Sequence, residues 1–268
     1  MQKSDLNNNI CVLIMSCDRY EDLWVPFFHF FDKYWPDCPY PIFLATNTKL
    51  FSHNNVQVIH SNHFGTWSEE TTIILNNLNF KNILYLQDDY FLLKKVDNLV
   101  IESLLTIFSN NNVNYLRLFP SPGPNKNFKT YENIGIINEN ALYRTSLQCA
   151  IWNKNTFLQL LISSENQWLF ELNSVSRSNK LLFLSVKQQN KGRFKDHVYP
   201  ITYYYLTAVL RGKWRWGAVK ICKQEKVNLD FTLRKKETFF EMLYTNIYEL
   251  LPVFFKKIID FTINKLHK

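Results

Sequence analysis

The chain has 268 residues, 46% of them hydrophobic, and a formal net charge of +8. That is material for one large domain, or for a domain with an appendage. No apolar run approaches the ~20 residues of a membrane-spanning helix, and the polar opening (residues 1–9) is not read as a secretory signal. Five scattered cysteines (Cys11, Cys17, Cys38, Cys149, Cys222) form no CxxC pair. They are expected to be reduced thiols of a cytosolic protein, not a disulfide framework or a zinc ribbon. The charge is unevenly placed: residues 1–186 hold 14 Lys/Arg and 16 Asp/Glu, residues 187–268 hold 17 and 7. A near-neutral body with a basic, aromatic tail fits phosphate groups or an anionic membrane surface. With no zinc-finger, RNP-like or helix-turn-helix pattern, nucleic acid is not expected as a partner.

In chain order, residues 10–16 read as a fully buried strand, 17–22 as a polar loop, and 23–34 as an amphipathic helix. Strands follow at 41–47 and 56–60. Thr66 or Ser68 caps a helix running to Leu78, with Glu69 and Glu70 in its first turn. A fourth strand, 81–86, ends at Gln87-Asp88-Asp89. Alternation of strands and helices predicts a parallel sheet covered by helices on both faces. Ligands of such sheets bind beyond the carboxyl ends of the strands, so residues 17–19, Thr46 with Asn47, and Asp88 with Asp89 are expected on one rim. Further on, a helix is predicted at 96–108, a strand at 115–119, a strand ending at 150–152, helices at 154–162 and after 164–167, and a strand at 181–186. Residues 199–210 read as helical, 211–216 as a basic aromatic connection, and 237–266 as an apolar helical stretch broken at Pro252.

Two adjacent carboxylates at the end of a buried strand repel each other and lose hydration, so they call for a counter-charge. A divalent cation carrying a nucleoside diphosphate supplies one; a solvated acidic turn is the competing reading. The loop Ile14-Met15-Ser16-Cys17-Asp18-Arg19-Tyr20, the strand ending Gln87-Asp88-Asp89-Tyr90, the segment Ser146 to Trp152 and the run Glu165 to Glu171 together resemble the GT-A class of nucleotide-sugar glycosyltransferases, in particular bacterial enzymes of lipopolysaccharide, O-antigen or capsule assembly. The resemblance covers roughly residues 10–216. It departs from the class at Gln87, which stands where the first acid of the usual Asp-x-Asp motif would be.

The resemblance implies an α/β, Rossmann-like GT-A domain over residues 1–236, followed by a C-terminal amphipathic, basic helical segment at 237–268. It implies Mg²⁺ or Mn²⁺ held by Asp89 with Asp88, and a nucleotide-sugar site drawn from Asp18, Arg19, Thr46, Asn47, Trp67, Asp88, His197, Arg211 and Lys213. Asp18, Thr46 and Asn47 read equally well as turn or cap residues, and Trp67 as a core residue. For an inverting transfer, the class places the base on the helix after the acceptor-side strand, where Glu171 and Glu165 lie. Glu171, between aromatic neighbours, is preferred because an apolar setting raises a carboxyl pKa. The partners would be a nucleotide sugar and a saccharide or lipid-linked saccharide acceptor. The location would be cytoplasmic, with peripheral contact to the inner membrane through residues 237–268. Two alternatives stand beside this reading. One is a sugar-activating nucleotidyltransferase, disfavoured because Ser16-Cys17-Asp18-Arg19 lacks the glycines that grip a triphosphate. The other is a non-catalytic membrane-surface binding protein.

Overall fold

The computed structural model describes residues 9–189, 197–203 and 207–250, the last six through their backbone. Packing divides the chain into two units, Met1–Tyr205 and Leu206–Lys268; the division at 236/237 drawn from composition is a different one and stays an expectation.

In the first unit β1 (Ile10–Met15), β2 (Ile42–Thr46), β3 (Val56–His60) and β4 (Asn82–Gln87) pair in parallel in the order β3-β2-β1-β4. A short 3-10 turn at Asp18–Tyr20 leads into α1 (Glu21–Tyr34), which connects β1 to β2; α2 (Trp67–Asn77) connects β3 back to β4. The two crossovers step across the sheet in opposite directions. Because each is right-handed, their helices cover opposite faces. The sheet continues through β8 (Ala150–Asn153), β5 (Tyr115–Arg117), β9 (Phe183–Val186), β7 (Tyr131–Ile136) and β6 (Lys126–Phe128). Among the nine described strands, β8 and β7 run against the rest. The expected mostly parallel α/β sheet with helices on both faces is therefore the architecture of this unit.

Alternation along β1 and β4 sends Cys11, Leu13, Met15, Ile83 and Tyr85 to one face. There they meet Ile74 and Leu75 of α2, Phe157 and Leu160 of α4 (Lys154–Leu160), and Phe170 of α5 (Gln167–Arg177). Trp152 lies at the centre, stacked on Phe157 at 4.5 Å between ring centroids. Helix α2 starts at a capping box: Thr66 accepts from the Glu69 N–H while the Glu69 carboxylate accepts from the Thr66 N–H. Helix α3 (Asn98–Asn110) is tied to the chain after α1 by the Trp35 indole, which donates to Asn98 at 2.7 Å.

One expectation needs correction. Residues 199–210 are not helical where described. Tyr203 pairs with Leu92 in an antiparallel bridge, and Val209–Leu210 form strand β10 of the second unit, with β11 at Lys213–Trp214. Tyr203 there stacks on Tyr90 and Tyr199 meets Phe119 edge-on, contacts made across the rim and not along a helical stripe. The β6–β7 hairpin and helix α6 (Trp216–Gln224) went unread. Of the expected 237–266 helix, α7 (Phe239–Leu250) is present, residues 237–238 lead into it without being helical, and 251–266 lie outside the described residues. All five cysteines are free thiols, and no described helix is long and apolar enough to cross a membrane.

Candidate active site

The parallel strands β1 to β4 deliver their carboxyl ends to one rim. Asp88 and Asp89 form the turn that follows β4, Asp88 buried and Asp89 half-buried. Burying Asp88 requires a donor, and Ser16, just past the end of neighbouring β1, donates its hydroxyl to the Asp88 carboxylate. The Trp24 indole of α1 in turn donates to the Ser16 oxygen at 2.7 Å. This relay fixes the carboxylate's orientation. Gln87, in the position of the missing first acid, reaches the Tyr85 hydroxyl at 3.4 Å.

The loops after β1 and β2 are stapled to each other. The Asp18 carboxylate accepts from the backbone N–H groups of Asn47 (2.9 Å), Thr48 and Lys49, and from the Thr48 hydroxyl, while the Asp18 N–H donates to the Asn47 side chain. Burial pushes the Asp18 carboxyl up, but these hydrogen bonds outweigh it and hold the group below the usual carboxylate range. Asn47 also donates to the His63 carbonyl at 2.8 Å, and Thr46 bonds His60 and the Lys49 carbonyl. Asp18, Thr46 and Asn47 thus spend most of their hydrogen-bonding capacity on shaping the rim. Arg19 is exposed beside them. The Trp67 ring packs on Phe170 and Phe157 at 5.3 and 6.3 Å, which is core packing.

On the other side of β4, β8 runs antiparallel, so the segment preceding it, Ser146 to Cys149, reaches the same rim. The Tyr115 hydroxyl donates to the Ser146 carbonyl at 2.7 Å and the Tyr90 hydroxyl to the Leu147 carbonyl at 3.4 Å. The Leu147 N–H then donates to the Glu171 carboxylate at 2.7 Å. Helix α5, capped by Asn166, is clamped here by Ser174, which bonds Thr145 at 2.6 Å. Asp89-Tyr90 and Glu171 are therefore joined through a single loop residue. Burial raises the Glu171 pKa against the opposing pull of the Leu147 N–H, the Ser146 hydroxyl and the Arg117 charge. Glu165 is placed differently: both oxygens meet the Arg177 guanidinium, one at 2.5 Å, and Asn173 adds a bond at 2.9 Å. Burial works to raise its pKa, but Arg177 and Asn173 together hold it low.

An aromatic row covers this part of the rim. Tyr203 stacks on Tyr90 at 4.4 Å, Phe119 lies against both Tyr203 and Tyr199, and buried His197 bonds the Tyr199 hydroxyl at 3.2 Å. The Tyr203 hydroxyl donates to Gln148. The sequence did not single out Ser16, Trp24, Gln148, Tyr203 or Arg117. The last is fully buried, with its donors on the Tyr115 hydroxyl and the carbonyls of Pro122, Tyr143 and Arg144. Arg211 and Lys213 belong to the second unit, where Lys213 pairs with Glu241.

Asp88 and Asp89 offer hard oxygen donors. Among the described residues no group of three His, Cys, Asp or Glu side chains gathers around a metal-sized space. Two carboxylates, completed by phosphate and water oxygens, are a donor set that would suit Mg²⁺ or Mn²⁺ better than zinc. A cavity of about 700 Å³ lined by Ile136, Arg144 and Leu182 opens at the opposite end of β9 and is not part of this rim.

No protein-family model matches the chain, and no curated protein matches it. Among solved structures, it is similar to S. aureus TarS 1-349, with 9% identity over 71% of this chain and 59% of that one at a TM-score of 0.44. The same fragment in complex with UDP gives 12% identity, the same coverage and a TM-score of 0.43. A mycobacterial protein gives 9% identity over 73% of this chain and 74% of that one at a TM-score of 0.42. The chain spans less than two thirds of the TarS fragment. Likenesses of this size carry no argument about function, which rests on the geometry of the rim.

Proposed function

We propose that the chain is a GT-A-type glycosyltransferase that takes a sugar from a nucleoside-diphosphate donor and passes it to a saccharide acceptor of a bacterial surface glycan. The observation that carries this reading is the junction of the Asp88-Asp89 turn, at the carboxyl end of β4, with Glu171 through Tyr90 and Leu147. On this reading Asp88 with Asp89 would hold the cation and Glu171, whose pKa burial raises, would serve the same rim, where α/β sheets take their ligands.

Asp89, with Asp88 held by Ser16, would carry Mg²⁺ or Mn²⁺. When bound, such a cation neutralises a departing diphosphate. Glu171, whose pKa is raised by burial, would accept the proton of the acceptor hydroxyl as that oxygen attacks the sugar, and a single displacement of this kind inverts the anomeric centre. The Leu147 N–H and the Ser146 hydroxyl orient the Glu171 carboxylate. The Asp18–Asn47 staple would shape the nucleotide-facing loops, with Arg19 exposed for the donor's charge. His197 is the remaining first-unit candidate for the diphosphate, Arg211 and Lys213 of the second unit stay expectations of the resemblance, and Glu165 is a weaker candidate base because Arg177 holds it. The cytoplasm is the compartment proposed, since it is where nucleotide sugars are made.

Thermal-shift measurements with UDP, GDP and CDP, with and without Mn²⁺, test the proposal. A ligand that binds only the folded state adds about 2.7 kcal/mol at a hundredfold excess over its Kd. One nucleoside diphosphate is expected to stabilise the protein in the presence of Mn²⁺ only. Stabilisation by none of them overturns the donor assignment, and stabilisation without metal overturns the role of Asp89.

A further inference from the structure

The second unit presents an apolar, aromatic surface that its own core does not use. In α7, Phe239 is 56% exposed, Phe240 79% and Leu243 44%. At 100° per residue they share one side of the helix. Trp216, 38% exposed at the start of α6, sits against the entry to α7: its N–H bonds the Glu237 carboxylate at 2.7 Å and its indole the Glu237 carbonyl at 2.9 Å. The Lys236 ammonium lies 3.3 Å from the centroid of the Trp216 ring. Phe231 and Leu233, on the preceding loop, are also exposed.

The exposed charge of the unit is mainly positive. Among the described side chains of the unit, Arg211, Lys220, Lys223, Lys226 and Lys235 are exposed cations, while the exposed acid is Asp230. Glu237 is buried and Glu241 is held by Lys213. Exposed phenyl and indole rings beside unpaired-sign cations match the boundary between acyl chains and anionic headgroups. A second copy of the chain matches poorly, because a two-fold contact would set Lys235 and Lys236 against their own counterparts.

We infer that this face docks on an anionic phospholipid bilayer, with Trp216, Phe239, Phe240 and Leu243 entering the headgroup boundary and Lys235 and Lys236 lying among the phosphates. The inference does not depend on the chemistry proposed for the first unit, so either can fail alone.

Co-sedimentation of the full chain with vesicles tests it. Phosphatidylcholine vesicles with about one quarter phosphatidylglycerol are compared with phosphatidylcholine alone, at low salt and at about 0.5 M salt. The expected result is binding to the anionic vesicles at least about tenfold tighter than to neutral ones, and weakened by salt. Phe239→Ser/Phe240→Ser should lower the affinity about tenfold or more, and Lys235→Glu about fivefold or more. Both rings are more than half exposed, so an unchanged unfolding midpoint identifies the variant as folded. Equal binding to neutral vesicles overturns the inference. So does anionic binding that the double variant leaves intact. A variant that only converts a dimer to a monomer, with no vesicle binding by the parent protein, assigns the face to a second copy and overturns it as well.

Discussion

Glu165 and Glu171 lie six residues apart, yet their surroundings predict opposite consequences for the same substitution. Glu165→Gln removes a charge that is 6% exposed at its side chain and leaves Arg177, 23% exposed, without its carboxylate. Breaking a buried pair from one side costs about 3–5 kcal/mol. Arg177 keeps the Leu160 carbonyl through two bonds, which puts the expected loss near the lower end, about 3 kcal/mol. For a chain of this size that is a fall of roughly 6–12 °C in Tm. The loss depends on pH in a known direction. The Glu165 pKa is depressed in the folded state, so its stabilisation is complete above the unfolded value of about 4.3 and disappears as the pH falls through the folded value.

Glu171→Gln differs in both respects. The amide oxygen still accepts from the Leu147 N–H, and the desolvated charge is gone, so the stability change should stay within about 1 kcal/mol. Because the Glu171 pKa is raised, the folded state binds the proton more tightly than the unfolded one. Wild type should therefore gain stability relative to Glu171→Gln as the pH is lowered from above the folded pKa towards about 4.3. Turnover should collapse in Glu171→Gln and survive in Glu165→Gln below its lowered melting point. The assays are thermal unfolding across pH and release of nucleoside diphosphate from donor with saturating acceptor. Full turnover in Glu171→Gln together with an inactive, thermally unchanged Glu165→Gln would refute the reasoning.

Asp89→Asn should abolish the Mn²⁺-dependent part of nucleotide stabilisation while leaving the unliganded Tm within a few degrees, as a thermal-shift titration would report. Asp18→Ala strands the N–H groups of Asn47, Thr48 and Lys49; on a half-exposed loop this should cost about 1–2 kcal/mol in denaturant unfolding and raise the KM for donor more than it lowers kcat. Gly135→Ala would set a Cβ 2.4 Å from the Lys126 carbonyl and 2.7 Å from Pro124, so the β6–β7 hairpin should loosen at a cost of about 1–3 kcal/mol, visible as faster amide exchange at residues 126–136.

The half of the sheet built on β1 to β4 was readable because its strands are continuous apolar runs and its helices open on recognisable caps such as Thr66. The β6–β7 hairpin was not: Lys126, Asn127, Glu132 and Asn133 are exposed, so the alternation that marks a half-buried strand is missing, and Lys129 turns with a positive φ of 50° where no glycine announces it. Residues 199–203 misled for another reason, since their aromatic content fits either period and is resolved only by Tyr90 and Phe119 from elsewhere in the chain. At the rim, sequence position put Asp88 and Asp89 just past β4 and Glu171 on a helix after β8, where they lie. It could not tell a ligand-facing side chain from a staple. The partners of Asp18 lie about thirty residues away, and nothing local to Asp18 records them.

The phenols around the rim bear on how its acidity can be read in experiment. Burial raises the Tyr85, Tyr90 and Tyr203 hydroxyls far above the usual phenol range, and nearby acid or phenol groups push them further. The shifts favour the protonated phenols, and those of Tyr90 and Tyr203 serve as donors to the Leu147 carbonyl and to Gln148. An alkaline decline in turnover would not originate in these phenols, and the acid limb would report on the carboxylates.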